Sequence, residues 1–419
     1  MRHNALRLTQ DEFAALAKIS ADTVSNWERR NGGRYVLSGR YARLMDDVLA
    51  SLTNDQRRRF RAALPGGGDT TTLDPGIDGV GSEEVDLVAL GRRGFLLGAG
   101  VALGSSRTDT APPMPACMVG GLRATAQTYR SCYRMAPARD LLGAAHSHMQ
   151  LALSMRPGDQ PEPARSNLLT TVGEMAALAG IILGLDQGRW RHCAPYLHVA
   201  DRAARESGNI ELQAVVTACH AFQAAYSRDP DPKLGLDYAE SARAIAARGA
   251  SSTTRGWVAA VASERHADLG DARASRKLLD DARSALDAGP ADADRYSGIG
   301  AFDAAKVTAY EGSNHRRLGD FNKAVAVLDT ALADLDPSLR RHRATALIDR
   351  AEAHRDARRV DAAVADTREV LALVAETQHV GTLDRAVELA RSARDTGARE
   401  GIDLWNDALA AKAAATSLA

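Results

Sequence analysis

An all-α chain is indicated by three features. Aromatic residues make up only 5% of its 419 positions and alanine is abundant, a balance that favours packed helices over sheets. Ala- and Leu-rich amphipathic stretches of about 15–18 residues recur, joined by short Gly/Asp/Pro turns. No alternating run of Val, Ile, Thr and aromatics extends between turns, so there is no strand signal. The turns are plainest at Leu269-Gly270-Asp271 and Leu318-Gly319-Asp320, with weaker counterparts at Gln187-Gly188-Arg189, Arg228-Asp229-Pro230 and Arg358-Arg359-Val360. Anchored at 188, 229, 270, 319 and 359, they are separated by 41, 41, 49 and 40 residues. A period near 40 with one central turn predicts stacked helix–turn–helix units. One such pair cannot bury its apolar face alone, so the units must stack into an α-solenoid.

Charge is balanced overall, with 53 Lys+Arg against 53 Asp+Glu. Hydrophobic content of 45% and charged content of 25% suit a globular protein and exclude a disordered chain, a collagen or an integral membrane protein. The balance hides an asymmetry: residues 1–64 carry a net +5 and the remainder −5. A basic head on an acidic body points to a polyanion as the head's partner. The four cysteines are far apart, with no CxxC. That spacing suits neither a disulfide framework nor a zinc site, and with no leader-like N-terminus it predicts a cytoplasmic protein.

The head spans residues 1–64. Thr9 followed by Glu12 is a capping box that starts a helix, with Phe13, Leu16 and Ala17 on its apolar face. Lys18-Ile19 makes a short turn, and Ser20 caps a second helix running to about Arg30. Val24 and Trp27 fall on the side that packs on Phe13. Asp22, Ser25, Asn26 and Arg29 fall on the opposite side. An apolar seam and a polar edge are what a recognition helix in the major groove requires. Ser38 and Thr53 then read as caps of helices 39–52 and 54–64. The basic run Gln56–Arg61 reads either as a solvated helix end or as a DNA-backbone contact.

The stretch from Thr9-Gln10 through Thr23-Val24-Ser25-Asn26-Trp27-Glu28 resembles the helix-turn-helix of the phage-repressor-like, xenobiotic-response-element family. The resemblance covers about 20 residues. It implies a sequence-specific regulator that binds a double-stranded DNA operator as a homodimer. Gln10 would then bond a phosphate at the helix N-terminus. Ala21, Asp22, Ser25 and Asn26 would sit at the reading edge, where Asn pairs with adenine and Asp accepts from cytosine. Asp22 has the alternative role of capping its helix. Arg29, Arg30 and Arg34 are phosphate-contact candidates. The family carries a full helix ahead of Thr9, where eight residues stand here. The expectation is either a weakened head or a start further upstream.

Residues 65–116 read as a linker around a short apolar segment, 83–104. Pro65 to Ser82 holds six Gly and two Pro, and as a coil would span roughly 20–25 Å. Gly91-Arg92-Arg93-Gly94-Phe95-Leu96-Leu97 is similar to a twin-arginine export signal. Its apolar run falls well short of the roughly 20 residues of a membrane span, so it reads as an internal helix or hinge; export is the competing hypothesis.

Residues 117–419 resemble the tetratricopeptide-like arrays found behind such heads in actinobacterial regulators. Leu122 to Arg130, Pro137 to Leu142 and His148 look like the lead-in; Phe302-Asp303, Leu318-Gly319-Asp320 and Ala324 to Leu332 look like a later repeat. The resemblance implies dimerisation and a concave face that binds a peptide, small molecule or protein. Lys306, Tyr310, Asn314 and Arg317 recur at i, i+4, i+8 and i+11 as a polar stripe, with Gln223 and Tyr226, and Arg350 and His354, as counterparts on neighbouring pairs. Enzyme signatures are missing: there is no HExxH, Walker loop, GxSxG or dinucleotide fingerprint. His146-Ser147-His148 and His192-Cys193 lack further ligands at metal spacing. The expectation is a regulator with no catalytic residue, cofactor or metal. A protein–protein scaffold with a vestigial head is the alternative.

Overall fold

The computed structural model describes residues 9–16, 19–20, 24, 114–155, 157–227, 229–289, 298–300 and 302–417. The chain divides into two compact units, Met1–Glu84 and Val85–Ala419. In the first, helix α1 spans Gln10–Leu16. The Thr9 backbone N–H donates to Glu12 Oε2 at 2.7 Å, and Glu12 N–H donates to Thr9 Oγ1 at 3.2 Å. These two reciprocal bonds satisfy donors that a bare helix start leaves unpaired. Phe13, Ala14 and Val24 are buried at 4, 4 and 2% exposure. The Val24 N–H donates to the Ser20 carbonyl.

The described residues of the second unit form helices joined by turns, with no strand among them. They begin with α2 (Ala116–Cys132) and α3 (Ala138–Ser154). Six helix pairs follow among the described residues. They are α4 (Ala164–Ile181) with α5 (Trp190–Ser207), α6 (Ile210–Tyr226) with α7 (Pro232–Ala246), and α8 (Ser252–Asp268) with α9 (Ala272–Asp287). Then come α10 (Ala304–Arg317) with α11 (Phe321–Asp334), α12 (Arg340–Asp356) with α13 (Val360–Thr377), and α14 (Val380–Arg394) with α15 (Arg399–Ser417). Each helix packs most closely on its partner in the pair. The first helices α4, α6, α8, α10, α12 and α14 also pack on one another in succession. This is the contact pattern of a helical repeat, in which each unit buries its apolar face on the next.

Local chemistry explains the joints. Gly188, Gly270 and Gly319 close the turns of their pairs at φ of +64°, +78° and +83°, a conformation that costs glycine nothing. Arg358 takes the same place at φ 60° without that freedom. Asp231, Asp271 and Asp320 cap α7, α9 and α11 by accepting the N–H three residues on. Helix α4 is long and apolar enough to cross a membrane together with the segment after it, yet 94% of its most apolar window is buried in the array. It is the hub of the larger core, where Met175, Leu178 and Ile182 meet Leu197, Leu212 and Met149. Its last turn widens to a π-helix over Ile182–Asp186, which carries Asp186 into the interior at 0% exposure.

Candidate functional site

Of the head residues singled out from sequence, Gln10 opens α1 behind the Thr9–Glu12 box. Ala21, Asp22, Ser25, Asn26, Arg29, Arg30 and Arg34 lie outside the described residues, as do Trp27, helices 39–64 and the Arg92-Arg93 segment.

In the array, charged side chains from alternate helices meet in a ladder across the first helices. Tyr226, at the end of α6, donates its hydroxyl to Glu264 Oε1 on α8 at 2.7 Å. It accepts from Arg265 Nη2 and Arg317 Nη2, each at 2.9 Å. Arg317, on α10, also donates to Glu264 at 2.6 Å and to Asp268 at 2.8 Å. The adjacent Arg316 reaches the other way, 3.0 Å from Glu352 of α12. Arg385 of α14 completes the run, donating to Asp349 at 2.5 Å and to Glu352 at 2.6 and 2.9 Å. Acidic α8, basic α10, acidic α12 and basic α14 thus alternate in sign.

Burial alone would raise the Asp349 carboxyl; Arg385, Arg316 and Arg317 reverse that and hold it well below the usual carboxylate range. Glu264 is lowered in the same way, burial being overcome by Arg317 and Arg265. For Asp268 burial wins and the carboxyl is raised. Burial also raises the Tyr226 phenol, which keeps its proton to donate.

A second cluster joins distant parts of the chain. Asp186 accepts from the Tyr133 hydroxyl at 3.0 Å and from Arg341 Nε at 3.2 Å, with His379 Nε2 at 3.4 Å. The Arg341 guanidinium stacks 4.7 Å over the Tyr133 ring and donates to the carbonyls of Tyr133, Ala136 at 2.7 Å and Thr377 at 3.1 Å. This clasp ties the α2–α3 junction and the π segment to α12 and the α13–α14 turn. Next to it, Arg130 Nη2 lies 3.4 Å from Glu174, and Nη1 donates to the Gly298 carbonyl.

The eight array residues named from sequence separate. Tyr226 and Arg317 belong to the ladder. Lys306 lies with its ammonium 5.8 Å from the Tyr310 ring centroid. Asn314 is buried and turns between helices, donating to Ser263 of α8 and Ser275 of α9 at 3.0 Å each. Arg350 is clamped by Asp366 of α13 at 2.7 and 2.8 Å and by Asp329 of α11 at 2.6 Å. His354 sits 3.9 Å from the same Asp366, and Gln223 pairs with His220. Sequence reasoning missed Glu264, Arg265, Asp268, Arg316, Asp349, Glu352 and Arg385. The signal available was charge of alternating sign at matching places on successive first helices. Among the described residues no group of three His, Cys, Asp or Glu side chains is placed to hold a metal.

No protein-family model matches the chain, and no curated protein matches it either.

Proposed function

We propose that this chain is a sequence-specific transcriptional regulator. The head reads a DNA operator through a phage-repressor-like helix-turn-helix, as a homodimer, with Asn26 and Asp22 at base edges and Arg29, Arg30 and Arg34 on phosphates. The tetratricopeptide-like array takes up an effector and alters operator occupancy; it does no catalysis. The observation that carries the reading is the Thr9–Glu12 capping box beside buried Phe13 and Val24. Those residues supply the start and the apolar seam of the motif that the sequence resembles. The net +5 of residues 1–64 supports a polyanion partner.

Sequencing the DNA recovered with the protein from cells tests the proposal. The expected result is a small set of sites sharing one palindromic motif. Recovery of DNA in proportion to its abundance, with no shared motif, would leave the array as a scaffold for another protein.

A further inference from the structure

Among the described residues of the ladder helices α8, α10 and α12, Lys306 stands apart from the paired charges. The ladder's four carboxylates, Glu264, Asp268, Asp349 and Glu352, balance the four guanidiniums of Arg265, Arg316, Arg317 and Arg385. Every arginine on α8, α10 and α12 that is at least partly buried lies at salt-bridge distance from a carboxylate. The half-buried Lys306, on the first turn of α10, has no such partner among the described residues. Burial pushes its ammonium down to about 8, against the pull of Asp303 at its own N-cap, Glu264 from α8 and Asp349 from α12. A partly desolvated cation with no carboxylate at salt-bridge distance is a cost to the fold that an arriving anion reduces.

The surroundings fit an anion that carries a flat body. Tyr310 lies under the ammonium and meets Phe302 edge-on, with ring centroids 6.4 Å apart. From α12, His342 brings an imidazole that burial, Lys306, Arg341 and His379 together hold well below its usual range. A neutral ring offers an N–H and does not add charge. Its Nδ1 is buried with no hydrogen-bond partner among the described residues. Gly300, at φ +81°, lies against the same ring: a Cβ there would stand 3.2 Å from His342 Cε1 and 3.8 Å from Tyr133 Cδ1. Its bare backbone is what fits in that space.

We propose that Lys306, His342 and the Tyr310–Phe302 pair form a binding site for a small organic acid with one carboxylate and an aromatic body. The carboxylate replaces water on the Lys306 ammonium and accepts from His342, and the ring of the acid packs on Tyr310. This deepens the effector half of the regulator reading and rests on it. The test contains no DNA, so its failure leaves operator binding standing, and a chain that takes the acid but ignores DNA refutes the regulator reading alone.

The full chain is titrated calorimetrically with 1-naphthoate near pH 7. Saturable binding is expected, weakened by about tenfold or more for neutral 1-naphthamide and for Lys306→Met. Lys323→Met, on the exposed start of α11, binds like the parent. Should Lys306→Met disturb the fold, the parent protein answers by carbon NMR of its six lysines. One of them is expected to titrate near 8 and to move upward when naphthoate saturates the site. Equal binding of acid and amide overturns the proposal, as does a lysine signal that ignores the ligand, or no naphthoate binding at millimolar concentration.

Discussion

Asn314 and Arg317 stand three residues apart on α10 and do different things. With about 100° of rotation per residue, Tyr310 and Arg317 lie about 40° and 20° around the helix from Lys306, whereas Asn314 lies about 80° away. That offset turns Asn314 off the inner face and between α8 and α9, where Ser263 and Ser275 take its two amide hydrogens. Replacing it with Ala strips two buried hydroxyls of a donor. The expected cost is about 1–3 kcal/mol, read as a lower urea midpoint, and an unchanged midpoint would contradict the assignment. The i, i+4, i+8, i+11 spacing placed four polar groups roughly on one side of α10. It could not say that the i+8 member had drifted into an interface. Arg350 shows the same effect: it is about 100° round α12 from the inward Asp349 and meets Asp366 and Asp329, with His354 also beside Asp366.

At the scale of elements the joints were the most legible part. Gly188, Gly270 and Gly319 and the capping aspartates act within a few residues of themselves, so sequence alone displays their chemistry. The same holds for the Thr9–Glu12 box. Arg358 is the informative exception, because it occupies a glycine-type position at φ 60°. Arg358→Gly is expected to raise the melting temperature, and Gly270→Ala to lower it, each by the equivalent of about 1 kcal/mol. Calorimetry of the two variants against the parent decides this, and two shifts of the same sign would count against it. Helix α4 shows the opposite limit. Its near-continuous apolar sequence, taken locally, cannot distinguish a buried hub from a membrane span. Only its neighbours α2, α3, α5 and α6 settle that it is wrapped on nearly every side.

Over the whole molecule, what sequence did not reveal is the clasp. Asp186 and Arg341 are 155 positions apart, and a single chain carries no local mark of such a pairing. Arg341→Met leaves Asp186 buried beside Tyr133 and His379 without its main counter-ion. The expected loss is about 3–5 kcal/mol, with faster hydrogen exchange in both the π segment and the α13–α14 turn. Faster exchange in one alone would mean that the clasp does not couple them. Acid should act on the same interior. Burial lowers His342 and His379, so these two rings stay neutral in the folded array where the unfolded chain, with ordinary values near 6.5, takes up protons. Their contribution is therefore full above about pH 6.5 and lost as pH falls below it. Asp349 and Glu264, also lowered, lose theirs further down, below about pH 4. Melting temperature should fall between pH 7 and 5, and fall less in His342→Gln; parallel curves would refute the assignment. The regulator reading joins these parts into one molecule, and selection of duplexes from a random pool by the full chain tests it most directly. The account predicts that successive rounds converge on one two-fold motif, and that Asn26→Ala relaxes the preference at a single base position of each half-site by about 1–3 kcal/mol. A pool that stays random while binding only in proportion to low salt would contradict it.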